Sequence, residues 1–246
     1  MKYIITLILL FTSSLFAGEK QKITLGAGAY VQSQPYANVD AIALPSPVIF
    51  FDNGVFYVRW TRIGLYFLGE KTDDFSWGFS LTAQPRPFGY ESSDIAGMDE
   101  RKDTWEGGIA FSMQKNDAYL EVIALQDLLS SYKSWIIKTE IGYDFKIADF
   151  SFYPSLIAEY QSKDFINYYY GVTSVEAARR SETAYSPNAG MQLGVQTYIK
   201  YPFTKNVSAL VNLRVDKLPS QATSSSLVNE DYMYSGLASL IYTFEY

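Results

Sequence analysis

Apolar and polar residues alternate with a period of two along most of the chain, and the last fifteen residues, 232–246, show this most clearly. A period of two places successive side chains on opposite faces of a β-strand. One face of this stretch is apolar and aromatic, and its members are Tyr232, Tyr234, Gly236, Ala238, Leu240, Tyr242, Phe244 and Tyr246. Such a face is typical of the closing strand of an outer-membrane β-barrel, which meets lipid. We therefore expect Tyr242, Phe244 and Tyr246 to lie on a C-terminal strand that takes part in barrel assembly.

The same alternation upstream predicts an all-β fold, an antiparallel transmembrane β-barrel of about twelve strands. The predicted strands are 22–32, 39–51, 55–60, 63–70, 75–85, 105–114, 118–127, 133–145, 150–161, 189–201, 207–216 and 232–246. Segment 55–70 is either a hairpin that turns near Thr61 or one long strand, and in the second case ten strands is the alternative. Pro45, Pro47 and Pro154 fall inside predicted strands, so we expect bulges or strand starts there, because proline removes a ladder donor.

The connections between the predicted strands alternate in length. Short polar turns such as Asp52-Asn53-Gly54 and Thr204-Lys205-Asn206 suit tight hairpins. Long connections lie at Phe88 to Thr104, Lys163 to Tyr185 and Lys217 to Asp231. Short periplasmic turns and long outer loops are typical of membrane barrels. Within the second long loop, the sequence predicts a turn and then a short helix with Ser174 as N-cap and Glu176 in its first turn.

Composition agrees with a membrane barrel and excludes several other classes. Aromatic residues make up 17% of the chain, with 21 Tyr, and the mean hydropathy is near neutral at -0.05. This is expected when only alternate residues face lipid and aromatic belts lie at the interfaces. The chain has no His and no Cys, which excludes Ser-His-Asp catalysis and disulfides. The net charge of -6 argues against nucleic acid as a partner.

The first seventeen residues read as a secretory signal peptide. Lys2 supplies the positive region, Tyr3 to Phe11 the apolar region, and Ala17 a small residue at the cleavage point. The apolar run is too short for a membrane anchor, which needs about 20 residues. We therefore expect residues 18–246 to form a single barrel domain in the outer membrane of a Gram-negative bacterium.

The polar face of the predicted strands carries a set of charged residues that we expect to point into the barrel lumen. The set comprises Arg59, Glu70, Glu106, Glu121, Lys138, Glu140, Asp144, Glu159, Lys200, Arg214, Asp216 and Glu245. Charges inside a membrane barrel must pair or be wetted. Structural pairing and a thin channel are both consistent with such a set. No spacing singles out a glycosidase-type carboxylate pair, so no enzyme activity, metal or cofactor is expected.

Motifs in the long connections resemble the MipA/OmpV family, the MltA-interacting proteins of Gram-negative outer membranes. The most specific are Gly97-Met98-Asp99-Glu100-Arg101, followed by Glu106-Gly107-Gly108, and Tyr169-Tyr170-Gly171-Val172 with Glu176-Ala177. A weaker match is Arg214 with Ser225-Ser226-Leu227-Val228. The resemblance covers essentially the whole mature chain. Ser226 departs from an expected Pro, and Tyr246 ends the chain where Phe is commoner.

The resemblance implies a barrel that links murein-remodelling enzymes to the outer membrane, with a lytic transglycosylase and a penicillin-binding protein as partners. It leaves two alternatives open, a narrow diffusion channel and a surface adhesin that uses the long outer loops. The short periplasmic turns weigh against a scaffold, because a stable interface usually buries roughly 1,200–2,000 Å².

Overall fold

A computed structural model describes residues 22–72 and 74–245, so the predicted signal peptide, Asp73 and Tyr246 lie outside the described residues. The strands are β1 (Lys22–Gln32), β2 (Ile42–Asp52), β3 (Phe56–Arg59), β4 (Arg62–Lys71), β5 (Phe75–Arg86), β6 (Thr104–Lys115), β7 (Ala118–Asp127), β8 (Trp135–Tyr143), β9 (Phe145–Ile147), β10 (Phe150–Gln161), β11 (Gly190–Pro202), β12 (Val207–Lys217) and β13 (Tyr232–Glu245). Three short helices complete the described elements: α1 (Lys163–Tyr170), α2 (Ser174–Arg180) and α3 (Ser220–Thr223).

The strands form one closed antiparallel barrel. Neighbours in sequence pair in order, β10 pairs with β11, and β1 pairs with β13 along its whole length. The segments β8 and β9 both pair with β10 and are separated only by Asp144, so they count as one barrel strand. Within the described residues the barrel therefore has twelve strands, which confirms the predicted number and excludes ten.

Alternate residues of each strand face opposite sides of the wall, as the sequence pattern predicts. On β13 the side chains of Leu240 and Tyr242 are 60% and 42% exposed on the outer face, whereas Leu237 and Ile241 are buried on the inner face. Closure satisfies the backbone donors and acceptors of the paired strands without water, which is what a lipid environment requires.

The lipid-facing position of Leu240 gives a stability prediction. We expect Leu240→Arg to destabilise the barrel by about 2–4 kcal/mol, because a charge at the bilayer midplane is costly, whereas Phe244→Arg near the chain end should cost only about 0–1 kcal/mol. Urea unfolding of both variants in lipid vesicles measures the difference. Equal losses in the two variants would contradict the assignment of Leu240 to the centre of the lipid-facing band.

The ambiguous segment 55–70 is a hairpin, because β3 and β4 pair with each other and the chain reverses at Trp60 and Thr61. Trp60 adopts a left-handed backbone conformation there (φ 58°). A bulge between Tyr66 and Leu68 then shifts the register of β4 against β5. A one-residue shift exchanges the two faces of a strand. Glu70 consequently lies opposite Trp77, a member of the outward-facing series of β5. It is nevertheless one of the residues that line the cavity.

The three strand prolines do not coincide with bulges or strand starts. Pro45 and Pro47 lie in the middle of β2 in unbroken register with β1. Pro154 lies within β10, where pairing to the neighbouring strand is interrupted near Asp144 but resumes in the same register. The expected bulges were therefore wrong. Proline is tolerated in these strands where one side of the strand lacks a ladder partner.

The outer ends of the strands are covered by a lid, which we define as the connections 33–41, 87–103, 128–134, 162–189 and 218–231. These connections share one hydrophobic core with the upper inner wall of the barrel. Its buried members include Tyr36, Phe88, Met98, Tyr132, Phe165, Tyr169, Tyr170, Val172, Ala222 and Leu227. The sixth outer connection, the Trp60–Thr61 turn, has no residue among the buried members of this core. The opposite end carries short turns, as the sequence predicts.

Candidate functional site: the lumen and its lid

The barrel encloses a cavity of about 2380 Å³ that lies beneath the lid. Phe165 and Tyr170 of α1 line its outer end. The lining continues to Asn53, Gly54 and Thr72 in the short turns at the other end. Residues 171–189 and 218–231 of the lid do not line it. The cavity thus extends from the underside of the lid to the periplasmic rim.

Glu121 of β7 is the centre of one group of charges in the lumen. Its Oε1 accepts hydrogen bonds from the guanidinium groups of Arg59 at 2.9 Å and Arg62 at 2.6 Å. The hydroxyl of Ser112 donates to the same oxygen at 3.1 Å. Arg59 reaches on to Asp52 at 3.3 Å and to the Tyr66 hydroxyl at 2.6 Å. Two cations therefore neutralise one buried carboxylate, with a second carboxylate at the rim.

Arg86 of β5 links two buried carboxylates directly below the lid. Its Nε donates to Glu106, and its Nη2 lies 3.2 Å from Oε1 of Glu159. Tyr132 of the lid also donates its hydroxyl to Glu106 at 3.0 Å. The Arg86 guanidinium lies over the Phe165 ring, with 5.1 Å between its central carbon and the ring centroid. The same arginine therefore pairs with two carboxylates of the lumen and contacts the lid.

The remaining predicted charges form smaller contacts. Lys138 lies 3.1 Å from Glu140, and the Nε of Arg214 lies 2.6 Å from Asp216. Lys200 and Asp144 line the cavity. Glu245 pairs with Lys22 at 3.2 Å where β13 meets β1. Most of the predicted set thus lies in the lumen. Glu70 lines the cavity after the bulge in β4, and Glu245 lies at the periplasmic end of the β1–β13 seam.

Two central cations, Arg62 and Arg86, were missed by the sequence pattern. Each lies one residue beyond the predicted end of its strand, since the predicted strands were 63–70 and 75–85. Continuing the alternation by one position would have found both, because Arg62 shares a face with Gly64 and Tyr66, and Arg86 with Gln84 and Thr82. Asp52 was predicted as a turn residue, and it is the last residue of β2.

The lid is locked by a buried ion pair between two connections. The guanidinium of Arg101 lies 2.7 Å from Glu176, and both side chains are nearly inaccessible. Arg101 also donates to the backbone oxygens of Tyr168 at 2.5 Å and Asp99 at 2.8 Å. The Asp99 N–H in turn donates to Glu176 at 3.1 Å. Connection 87–103 is thereby tied to both α1 and α2.

The other motif residues also serve the lid. Gly97 has a positive φ of 80°, and a β-carbon there would lie 2.7 Å from Cγ of Arg180. Met98, Tyr169 and Tyr170 are buried in the shared core. The backbone of Gly171 ends α1 through a 3.0 Å bond from its N–H to Asn167 O, and Val172 bridges to Tyr185. A side chain at either glycine would collide with the lid itself.

The helices of the lid differ from the prediction in two respects. Thr173, and not Ser174, is the N-cap of α2; its hydroxyl accepts from the Glu176 N–H at 3.2 Å, and the Glu176 carboxylate accepts from the Thr173 N–H at 2.8 Å. This is a capping box. Tyr168 to Tyr170, which lie before the predicted helix in the part of the loop expected to be a turn, form the last turn of α1. The cap was misplaced by one residue because Thr and Ser stand side by side in the sequence.

The Glu176 carboxylate is held ionised by its surroundings. Burial opposes its ionisation, but hydrogen bonds from the Thr173 backbone, the Arg101 side chain and the Asp99 backbone outweigh burial and lower its pKa to about 2. A carboxylate with a lowered pKa stabilises the folded state above its ordinary pKa of 4.5, and that stabilisation is lost as the pH falls towards 2.

We therefore expect the lid to keep its stability from pH 7 to about pH 4.5 and to lose it progressively below that value. Near-ultraviolet circular dichroism of the aromatic lid during thermal melting measures this loss. Glu176→Gln should melt earlier at neutral pH and show a smaller further drop between pH 4.5 and 2. An equal drop in both proteins would exclude Glu176 as the titrating group.

No helix in the described part of the chain is long and apolar enough to cross a membrane. Residues 22–72 and 74–245 contain no cluster of three or more acidic side chains arranged to hold a metal ion.

Closed antiparallel topology, an apolar outer face and a charged lumen together define an outer-membrane β-barrel. Residues 25–244 match the family described as MltA-interacting protein MipA. The chain belongs to this family, which confirms the resemblance drawn from the loop motifs.

Two relatives align in sequence with most of this chain. The MltA-interacting protein of Escherichia coli (strain K12) is 26% identical over 244 residues, covering 97% of this chain and 96% of that protein. The outer membrane protein OmpV of Vibrio cholerae is 26% identical over 183 residues, covering 72% and 69%. Among solved structures, the COG4313 outer membrane channel from Pseudomonas putida F1 aligns at a TM-score of 0.44 and 10% identity, covering 94% of this chain and 98% of that one. OmpV is named as an outer membrane protein, and the outer membrane is the location of this chain.

Proposed function

We propose that this barrel is a docking protein that binds a murein-cleaving lytic transglycosylase at its periplasmic rim, with a penicillin-binding protein as a second partner. The observation that carries the proposal is the closed outer end. A packed hydrophobic lid covers that mouth, whereas the cavity lining extends to the periplasmic turns. A barrel closed in this way is suited to contacts made from the periplasm.

The name of the relative supports the class of partner. A protein 26% identical to this chain, aligned over almost its whole length, is called MltA-interacting protein. The rim of this barrel offers exposed charges for such a contact, among them Lys115, Asp117, Lys146, Asp149 and Lys205. Their turns are short, so a partner must either contact several turns together or enter the open end of the lumen to reach the roughly 1,200 Å² that a specific interface needs.

Affinity measurements with rim variants test the docking proposal. The purified barrel in lipid nanodiscs is presented to the soluble domain of the lytic transglycosylase from the same organism, and binding is read by biolayer interferometry. The rim variant carries Lys115→Glu, Lys146→Glu and Lys205→Glu. The matched control carries Lys102→Glu, Lys133→Glu and Lys163→Glu, the same change at three exposed lysines of the lid.

We expect the wild type and the lid control to bind equally. The rim variant should bind at least tenfold more weakly, because three cations of the proposed contact surface have become anions. A tenfold change in Kd corresponds to about 1.4 kcal/mol. Binding that is absent in the wild type, or weakened equally by both triple variants, would overturn the proposal.

A narrow channel is the second candidate, and the charged cavity favours it. The lumen holds arginines and carboxylates from β3, β4, β5, β7 and β10 along its length. Conduction would require the lid to open. Planar bilayer recordings compare the wild type with Arg101→Met, which removes the lid's buried ion pair. Steps of conductance that appear only in the variant would support a gated channel; silence in both proteins would exclude it.

A further inference from the structure

The barrel wall contains a place where two strand edges face each other without a strand between them. The β3–β4 hairpin is short, since β3 has only four residues and β2 pairs with it only from Phe50 to Asp52. On the other side, β5 pairs with β4 only as far as Ala83. Residues 42–48 of β2 and 84–86 of β5 therefore have a strand partner on one side only within the described chain. We call this gap the lateral window.

The edge of β2 lacks two N–H groups that would point into the lateral window. The backbone oxygen of Ile49 accepts from the Trp60 N–H at 2.8 Å, so the backbone groups of Ile49 point towards β3. Successive residues of a strand alternate in the direction of their backbone groups, so residues 47 and 45 point the same way. Both are proline and have no N–H.

The edge of β5 repeats this arrangement. The Leu128 N–H donates to the backbone oxygen of Trp105 at 2.8 Å, so Trp105 points towards β7 and the next residue, Glu106, points towards β5. Glu106 is opposite Gln84, which must therefore point towards β6. The following residue, Pro85, points into the lateral window and has no N–H to leave unpaired. Three prolines thus occupy window-facing positions on two separate strands.

The lateral window lies at the depth of the hydrocarbon layer. Two register rows connect it to the C-terminal strand: Pro45 with Ala29 and Ala238, and Pro47 with Ala27 and Leu240. On the outer face of β13, Ala238 and Leu240 lie between the aromatic residues Tyr234 and Tyr242. Aromatic belts mark the two interfaces of a membrane barrel. Open strand edges at this depth are otherwise avoided, unless they line a cavity.

The cavity reaches both edges of the lateral window. Pro45, Pro47 and Pro85 all line it. Trp60 lies at the lower border, where its indole N–H donates to the Ser46 hydroxyl at 2.8 Å. The upper border is closed by the lid, because the rings of Tyr36 and Phe88 stack with their centroids 5.7 Å apart. The opening is therefore bounded on four sides and joins the lumen to the side of the barrel.

We propose that the lateral window admits the acyl chain of a membrane amphiphile from the outer leaflet into the lumen. We expect an apolar occupant because the surrounding medium at this depth is hydrocarbon. The window-facing prolines keep their carbonyl acceptors but have no N–H to donate to a polar ligand. Leu44 on the β2 edge and Trp105, which lies on β6 opposite Pro85, are 47% and 44% exposed and supply apolar surface beside the opening. The proposal is independent of docking at the periplasmic rim.

Quenching of tryptophan fluorescence by lipids with brominated acyl chains tests the proposal. The chain has four Trp, so Trp77→Phe, Trp105→Phe and Trp135→Phe leave only Trp60, which packs against the inward-facing Tyr30 with 5.3 Å between ring centroids. The interior control replaces all four Trp by Phe and carries Tyr198→Trp. Tyr198 lies in the same register row as Tyr30, through Asn212 and Leu237, but behind a paired wall.

We expect brominated phosphatidylcholine vesicles to remove most of the Trp60 emission, as in a variant that retains only the outward-facing Trp105, and to leave the interior control nearly unchanged. Trp60 quenching no greater than that of the interior control would overturn the proposal. If the Tyr198→Trp variant does not fold, as judged by circular dichroism, Tyr153→Trp on the adjacent strand replaces it, because Tyr153 is opposite Tyr198.

Discussion

Arg101→Met is expected to loosen the lid by about 3–5 kcal/mol, because removing one partner of a buried ion pair leaves the other charge uncompensated. Glu176 would lose its guanidinium partner while remaining buried, and the backbone oxygens of Tyr168 and Asp99 would lose a donor. Amide hydrogen exchange in α1, followed by mass spectrometry in nanodiscs, measures the change. Exchange should accelerate by about 100-fold or more, since each 1.4 kcal/mol is a factor of ten.

Arg179→Met is the matched control for the lid lock. Arg179 also pairs with a residue of connection 87–103, since its guanidinium lies 2.9 Å from Asp99, but the two side chains are 41% and 64% exposed. An exposed pair contributes only about 0–1 kcal/mol. The double variant Arg101→Met with Glu176→Gln should recover part of the loss, because no charge then remains buried. If Arg101→Met and Arg179→Met accelerate exchange equally, the buried pair does not lock the lid.

Arg86→Met is expected to destabilise the whole barrel by about 3–5 kcal/mol. Glu106 and Glu159 have accessible fractions of 0% and 6% for their side chains, and Arg86 is the arginine that contacts both. Its loss leaves two buried carboxylates close to each other with no guanidinium between them. Urea unfolding in detergent micelles, followed by tryptophan fluorescence, measures the free energy of unfolding.

Two further variants show whether the Arg86 effect comes from charge. Lys200→Met removes another cation that lines the cavity but is only half-buried, and it should cost much less. Adding Glu106→Gln and Glu159→Gln to Arg86→Met should restore most of the stability, because neutral amides need no counter-ion. A triple variant as unstable as Arg86→Met alone would indicate that packing, and not charge, carries the effect.

The barrel could be predicted from the sequence because period-two alternation is a local property of each strand. The β-hairpin near Thr61 was the exception, since a four-residue strand carries too few alternations to separate it from its neighbour. The register of Glu70 could not be predicted for a related reason. The bulge at Tyr66 and Leu68 exchanges the two faces of β4 for the residues that follow it, and the local alternation does not indicate an inserted residue.

The lid and the ion pairs could be predicted less well, because they depend on contacts between distant segments. Arg101 and Glu176 were recognised as parts of two motifs, but their pairing joins residues 75 positions apart. Arg86 was missed because it stands one position beyond the predicted end of β5. The prolines of β2 were noticed as anomalies within a strand, and their meaning depends on how short β3 is.

The central claim is that this barrel contacts a murein enzyme at its periplasmic rim. The most direct test is photo-crosslinking in intact cells, with the crosslinker placed either on the rim or in the lid. Because the chain has no Cys, single cysteines at Lys115 on the rim and at Lys163 in the lid can carry the same photoactivatable group. We predict that Lys115→Cys captures a lytic transglycosylase, identified by mass spectrometry, and that Lys163→Cys does not. Capture from the lid position, or no lytic transglycosylase from the rim position, would contradict the account.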